Sequence, residues 1–249
     1  MKKVCIIGSN GYVGKSMVEL IKDKVNLSTK EIDDPYSVVD GVDVAIICVP
    51  TLMLEDGSCD TSIVEEVLKE TNAKYYLIKS TIPPGTTRKL LHRYNKEIVF
   101  SPEYIGEGSY PIPFWHGIPH PTKAKWHAFM IFGGNRNTTN YMVDLFTPIM
   151  GPYCKFLQTD SVTAEMVKYM ENSFLATKIV FCHEFSLIAR NFGVDYRSSA
   201  IFNDKLGFDG KCLPKDINGI YHAAKEHGFD SSFLKQVIKT NEELRKRNG

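Results

Sequence analysis

"KVCIIGSNGYVGKSMVELIKD", residues 3–23, decides the fold. An apolar run from Lys3 to Ile7 leads into glycines at 8, 11 and 14, and Val13, Met17, Leu20 and Ile21 then recur at helical spacing. The side-chain period changes from that of a strand to that of a helix across the glycines. Such a turn leaves free backbone N–H groups at the positive end of a helix, where glycine lets the main chain come close to a diphosphate. Gly8, Gly11, Tyr12, Val13 and Gly14 are therefore the candidate dinucleotide-binding residues. The spacing G-x-x-G-x-x-G is one residue longer than the commonest fingerprint, and a tight turn without a ligand is the other reading. The same fold calls for an acid at the end of the second strand, about 20 residues on. Within "KVNLSTKEIDDPYSVVDG" (24–41), Asp33 and Asp34 offer themselves at no clear strand end. Thr29 and Lys30 would suit a 2′-phosphate, so NAD is expected while NADP stays open.

Working outward, "DVAIICVPT" (43–51), "AKYYLIKST" (73–81) and "KEIVFSPEY" (96–104) are short runs rich in β-branched and aromatic residues, with helical spacing around 61–71 and 85–94. Strands alternating with helices predict a Rossmann-like, doubly wound parallel sheet with ligands beyond the carboxyl ends of the strands. Thr51, Thr81 and Glu103 are expected at those ends, although each alone would serve equally as a turn residue or cap. "HAFMIFGG" (127–134) and "NTTNYMVDLFTPIM" (137–150) complete an expected domain over residues 1–158. From Ser161 to Asn191 the pattern is helical without a proline or glycine, a length that must be largely buried. Lys168 and Asn172 lie four apart and share a face, with Met166, Val167, Met170, Phe174 and Leu175 expected to pack around them. By spacing alone a solvated lysine and a surface amide are the favoured reading of the pair. A loop holding "GFDGKCLPKD" (207–216) and two more helical runs complete an α-helical domain over 159–249, built on the long helix. The expected class is α/β.

Of the 249 residues, 43% are hydrophobic and 24% charged, with a net charge of +1, an ordinary balance for a globular chain. The charges are interspersed, so neither a nucleic acid nor a membrane surface is an expected partner. No apolar run approaches the roughly 20 residues a bilayer requires, and the chain enters a strand directly, which makes the cytoplasm the expected location. Six cysteines without paired spacing read as free thiols, with Cys5, Cys48 and Cys182 as small buried hydrophobes. No Cys-x-x-Cys pattern occurs, and no metal site is expected. Cys212 lies in no apolar run. It stands among glycines with a lysine and an aspartate in reach.

"GYVG" (11–14), "ICVPT" (47–51) with "DGSCD" (56–60), "KSTIPPGTT" (79–87), "SPEYIGEG" (101–108), "AEMVKYMENSFLATKI" (164–179) and "GKCLPKD" (210–216) follow one another in this order. In these motifs the chain resembles the UDP-glucose/GDP-mannose 6-dehydrogenases, which oxidise the C6 alcohol of a sugar nucleotide to a carboxylate with two NAD. The resemblance implies Cys212 as nucleophile, Lys168 and Asn172 as the polar pair at the reacting carbon, and Asp216 as the acid that orients or deprotonates water. It implies Thr81 and Glu103 in the catalytic pocket, and Gly8, Gly11, Gly14, Thr51 and Thr81 at the dinucleotide. Glu103, Lys168, Asn172 and Gly210 would face the substrate, a sugar nucleotide or sugar phosphate. The chemistry agrees with these roles: a thiolate adding to an aldehyde makes the tetrahedral carbon a second oxidation needs, without releasing the aldehyde. A neighbouring Lys215 or Lys168 would favour the thiolate, and Lys168 and Asn172 can both donate to a developing oxyanion.

The chain also departs from that family. Asp209 and Lys211 stand where glycine and serine are usual, and the stretch from Asp195 to Gly207 is abbreviated. Family members are longer, with a nucleotide-binding-type domain after the helix corresponding to 231–247 that contacts the base and diphosphate. The expectation is thus a short form without that domain. A homodimer is expected because the long helix and the apolar face of the last one need cover. Two other readings compete: a two-electron dehydrogenase like the β-hydroxyacid enzymes, which would not need Cys212, and a catalytically idle cofactor-binding protein that completes a partner.

Overall fold

The computed structural model describes residues 1–105, 123–191, 193 and 206–247. Residues 106–108 of the "SPEYIGEG" motif and most of the abbreviated stretch after Asp195 lie outside the described residues. The chain divides into two compact units, one comprising Met1–Thr51 and Thr61–Val167, the other Leu52–Asp60 and Lys168–Gly249.

The first unit holds a seven-stranded sheet of β1 (Lys3–Ile7), β2 (Asn26–Lys30), β3 (Val44–Ile47), β4 (Tyr75–Ile78), β5 (Ile98–Phe100), β6 (Phe129–Gly133) and β7 (Lys155–Thr159). Their order is β2-β1-β3-β4-β5-β6-β7, and every neighbouring pair is parallel except β5 with β6. Helices α1 (Tyr12–Ile21), α2 (Ser62–Glu70), α3 (Thr86–Tyr94) and α4 (Arg136–Met150) complete the crossovers. The inner strands β1, β3, β4 and β5 are largely apolar because both faces are covered, whereas the edge strands β2 and β7 are mostly polar and partly exposed. Thus β1 sends Cys5 and Ile7 into one buried cluster and Val4 and Ile6 into the other. Strand order reverses between β1 and β3, so the crevice at their carboxyl ends is the switch point of a doubly wound sheet.

The strands stop earlier than their sequence runs suggest. Thr51, Thr81 and Glu103 lie three or four residues past the ends of β3, β4 and β5, in the following loops. Pro50 and Pro102 have no N–H to give a ladder, which explains the early stops after β3 and β5.

The second unit is helical: α5 (Ser161–Asn191) beyond Val167, α6 (Cys212–Glu226), α7 (Ser232–Lys246) and a hairpin over 52–60 closed by Leu54 N–H to Ser58 O and Asp60 N–H to Leu52 O, both 2.8 Å. Ala176, Val180, Phe208, Ile217, Val237 and Leu244 form its core. Three expectations fail here. Met166, Met170, Phe174 and Leu175 do not bury the lysine-asparagine face but are exposed, and Tyr169 and Ala176 take the inward positions. Cys212 is not in a loop; it is the first residue of α6, with Pro214 inside the first turn, where a missing N–H costs nothing. Cys182 is half-exposed rather than a core thiol, whereas Cys5 is fully buried. No helix among the described residues is long and apolar enough to cross a membrane.

Candidate active site

In the first unit, the glycine turn is shaped by close approach. Gly8 has φ +81°, and a Cβ there would stand 2.8 Å from the carbonyl oxygen of Cys48 at the end of β3. A Cβ on Gly14 would stand 2.1 Å from the Gly8 carbonyl oxygen, so α1 can begin this near β1 only with glycine. Gly11 caps α1 without any side-chain hydrogen bond, and the first turn carries no acidic residue. The leading N–H groups of the helix, which have no acceptor within it, thus remain for an anion. These features fit the diphosphate of a dinucleotide. The acid expected at the second strand is Glu31, immediately after β2, rather than Asp33 or Asp34. Its Oε1 accepts from Ser9 Oγ at 2.5 Å and Asn10 N–H at 2.9 Å, which sets a carboxylate against the glycine turn. Asp34 supports it by accepting from the Glu31 N–H at 2.7 Å. The signal was in the sequence, but the short β2 hid which acid followed its last residue. Lys30 is buried, donates to the carbonyls of Glu31 and Asp34 at 2.9 and 2.8 Å, and stacks its ammonium 4.2 Å from the Tyr36 ring. Its charge is engaged internally, which removes the case for a 2′-phosphate there.

Thr51 is buried and donates its hydroxyl to the Thr81 carbonyl at 2.8 Å, tying the loops after β3 and β4 together. Glu103 is buried and accepts from the Ile105 N–H at 2.7 Å. Lys79 reaches Ser101 Oγ at 3.2 Å and the Pro102 carbonyl at 3.0 Å, holding the segment that carries Glu103. Burial pushes the Cys48 thiol up to about 12, which keeps this sulfur, in a residue half-buried against the sheet core, protonated at neutral pH.

In the second unit, Lys168 and Asn172 are 6% and 5% exposed, which excludes both a solvated lysine and a surface amide. The Asn172 side-chain amide donates to Asp216 Oδ2, and Lys215 Nζ lies 2.5 Å from Asp216 Oδ1. Asp216 is thus a buried carboxylate with a donor on each oxygen. The ammonium of Lys215, expected to act on the thiol, is engaged by Asp216. Lys168 Nζ lies 3.9 Å from Glu171. Cys212 and Asp216 are four apart, on one face of α6, at the helix end that favours negative charge. The approach of α6 to α5 depends on Gly219, where a Cβ would sit 3.3 Å from the buried Tyr169 ring. Gly210 (φ +90°) precedes the helix and donates its N–H to Asp209 Oδ1 at 2.8 Å. Asp209 in turn pairs with Arg245 at 2.8 Å, so the unusual acid before the cysteine is matched by a cation on α7.

Fold and motif geometry together define a Rossmann-like, dinucleotide-binding type of sheet in one unit and a helical unit with a cysteine at a helix start. Residues 15–114 match the NAD-binding domain, and residues 162–243 the central domain, of the UDP-glucose/GDP-mannose dehydrogenase family. The chain belongs to that family, and its cofactor is NAD. A UDP-glucose 6-dehydrogenase of Rickettsia prowazekii is 31% identical over 221 residues, 80% of this chain and 49% of that protein. The chain thus spans about half the length of the curated relatives it matches. Among solved structures, a UDP-glucose dehydrogenase from Pyrobaculum islandicum shares the fold with a TM-score of 0.78 at 22% identity, covering 98% of this chain and 68% of that one. A Mycobacterium tuberculosis 3-hydroxyisobutyrate dehydrogenase shares it with a TM-score of 0.68 at 15% identity, covering 100% and 95%.

Proposed function

We propose that this chain oxidises the C6 alcohol of a nucleotide sugar to the carboxylate, with Cys212 as covalent nucleophile. The supporting observation is the buried contact of Asn172 with Asp216, which joins the lysine-asparagine face of α5 to the face of α6 that carries Cys212. When bound, NAD supplies the hydride acceptor for each of two oxidations. The Cys212 thiolate adds to the aldehyde carbon, forming a C–S bond and a thiohemiacetal oxygen. Lys168 and Asn172 donate to that oxygen as its charge develops. Loss of the second hydride leaves a thioester, which water cleaves to release the acid and the thiol. Asp216, held by Asn172 and Lys215, is a positioning carboxylate in this scheme, and each of its oxygens keeps a second lone pair with which to accept from water. Thr81 and Glu103 of the first unit carry the polar roles their motifs have in the family. In sum, alcohol and water lose four electrons and two NAD become two NADH with three protons released.

The test is NADH yield on a panel of UDP- and GDP-sugars, with product mass determined. The expected result is two NADH per substrate and an acid product, and Cys212→Ser should abolish acid formation. Full conversion by Cys212→Ser would sink the covalent route. A single NADH per substrate would favour the two-electron reading, which the full-length fold likeness to a 3-hydroxyisobutyrate dehydrogenase keeps in view. We further propose a homodimer through the outer face of α5, where Met170, Phe174, Phe181, Phe185 and Ile188 are all exposed.

A further inference from the structure

Resting on the reading of Cys212 as nucleophile, we propose that His183 and Asn241 are positioning residues that clamp the approach to Cys212 from two helices. Gly207 and Phe208, five and four residues before the cysteine, run between α5 and α7. The His183 Nδ1 on α5 accepts the Gly207 N–H at 2.9 Å. Asn241 on α7 satisfies both polar groups of Phe208, its Oδ1 accepting the N–H at 2.7 Å and its Nδ2 donating to the carbonyl at 3.2 Å. Arg245 adds a second donor to that carbonyl at 3.3 Å and pairs with Asp209. Gly207 has φ +81°, and a Cβ there would stand 2.7 Å from Asn241 Oδ1, so the strand of loop is pressed against α7. The Phe208 ring is 3% exposed in the core of the second unit.

His183 is the telling member. Its ring is buried, and its Nε2 meets no hydrogen-bond partner among the described residues. An Nδ1 that accepts must be unprotonated, so the neutral ring carries its proton on Nε2. A merely space-filling core side chain would not need a nitrogen at that spot. Burial disfavours the imidazolium, in keeping with the neutral ring. The clamp fixes the backbone two residues before Gly210, whose positive φ then turns the chain into α6. The direction of the thiol is thereby set from outside the reacting groups.

The experiment compares the wild-type chain with His183→Asn, whose side-chain oxygen can replace the Nδ1 acceptor, and His183→Leu, which has no acceptor. Amide exchange at Gly207 and Phe208 and peptide-resolved alkylation of Cys212 by iodoacetamide are measured, neither of which needs turnover. His183→Leu is expected to speed exchange at Gly207 about tenfold and change Cys212 alkylation by at least about threefold, the scale of one lost hydrogen bond, with His183→Asn within about twofold of wild type. Wild-type rates in His183→Leu, or equal effects of both substitutions, would overturn the clamp. Should either variant fail to fold, nitrogen shifts of His183 in the wild type decide: an Nδ1 that carries the proton overturns the proposal, and an Nε2-protonated ring supports it. If a nucleotide sugar is turned over, His183→Leu should lower kcat about tenfold with the KM for NAD unchanged. Absence of turnover on every sugar, with the exchange result as expected, would remove the enzymatic reading and leave the clamp standing.

Discussion

Glu165 shows how one side chain can hold two elements at a measurable cost. It is fully buried on α5, and its oxygens accept the Gly85 N–H at 2.5 Å and the Thr87 N–H at 2.7 Å. It thus caps α3 from a distance of 80 residues in sequence, where Gly85 has no side chain to do so. Burial raises its pKa to about 7, with the two N–H donors and Arg88 pulling the other way. A carboxyl whose folded pKa is raised binds more protons folded than unfolded, so its contribution is complete below the ordinary value of 4.5 and is lost as pH climbs through about 7. Between pH 5 and 8 the wild type should lose roughly 2–3 kcal/mol of unfolding free energy relative to Glu165→Gln, read from urea denaturation at each pH. Equal slopes for the two proteins would show that the carboxyl does not titrate in that window. Little of this was legible in the sequence. The motif placed Glu165 beside Lys168, but its partners lie in a different motif.

At the scale of elements, the glycine turn and α1 form one unit whose geometry depends on missing side chains. Gly14→Ala would drive a Cβ to 2.1 Å from the Gly8 carbonyl oxygen and force α1 away from β1. Overpacking of that kind costs about 1–3 kcal/mol. The substitution should lower the melting temperature and weaken NAD binding about tenfold or more, measured by calorimetric titration, because the helix start would no longer point at the diphosphate. Unchanged affinity would mean that the N–H groups of α1 do not hold the ligand. The alternation of strand and helix was readable from periodicity, and α5 was found with the bounds the pattern predicted. Its inward face was not. Met170 and Phe174 are more apolar than Lys168 and Asn172, yet the polar pair is buried: Asp216 of α6 supplies the partner of Asn172, and Lys168 lies 3.9 Å from Glu171. Hydrophobicity alone ranks those faces in the wrong order.

For the whole molecule, the exposed stripe on α5 carries a prediction of assembly. Phe181 and Phe185 are 63% and 47% exposed, with ring centroids 5.7 Å apart. Sedimentation should give twice the chain mass, and Phe181→Glu should shift it to the monomer while leaving the circular dichroism unchanged. A wild-type monomer at micromolar concentration would refute the dimer. The chain divides at Val167 and Lys168, within α5, and the short hairpin 52–60 belongs with the helical unit although "ICVPT" just before it belongs with the sheet. That hairpin is invisible to periodicity, since nine residues between a strand and a helix read as a loop. His222 on α6 lies 3.7 Å from Asp56 of the hairpin, a contact between residues far apart in the chain.

By itself the sequence determined the Rossmann-like sheet, the glycine turn between its first strand and helix, and the long helix. These are local patterns, carried by the alternation of apolar residues, by glycine, and by short motifs whose residues act within a few positions of one another. Only the tertiary structure decided that Glu31 is the acid beside the glycine turn, that Lys30 and Lys215 have their charges engaged, and that His183 and Asn241 hold the approach to Cys212. A hydrogen bond between residues dozens of positions apart has no period and no composition. It exists only once packing has brought a donor and an acceptor to the same place and removed the water that would otherwise have served them both.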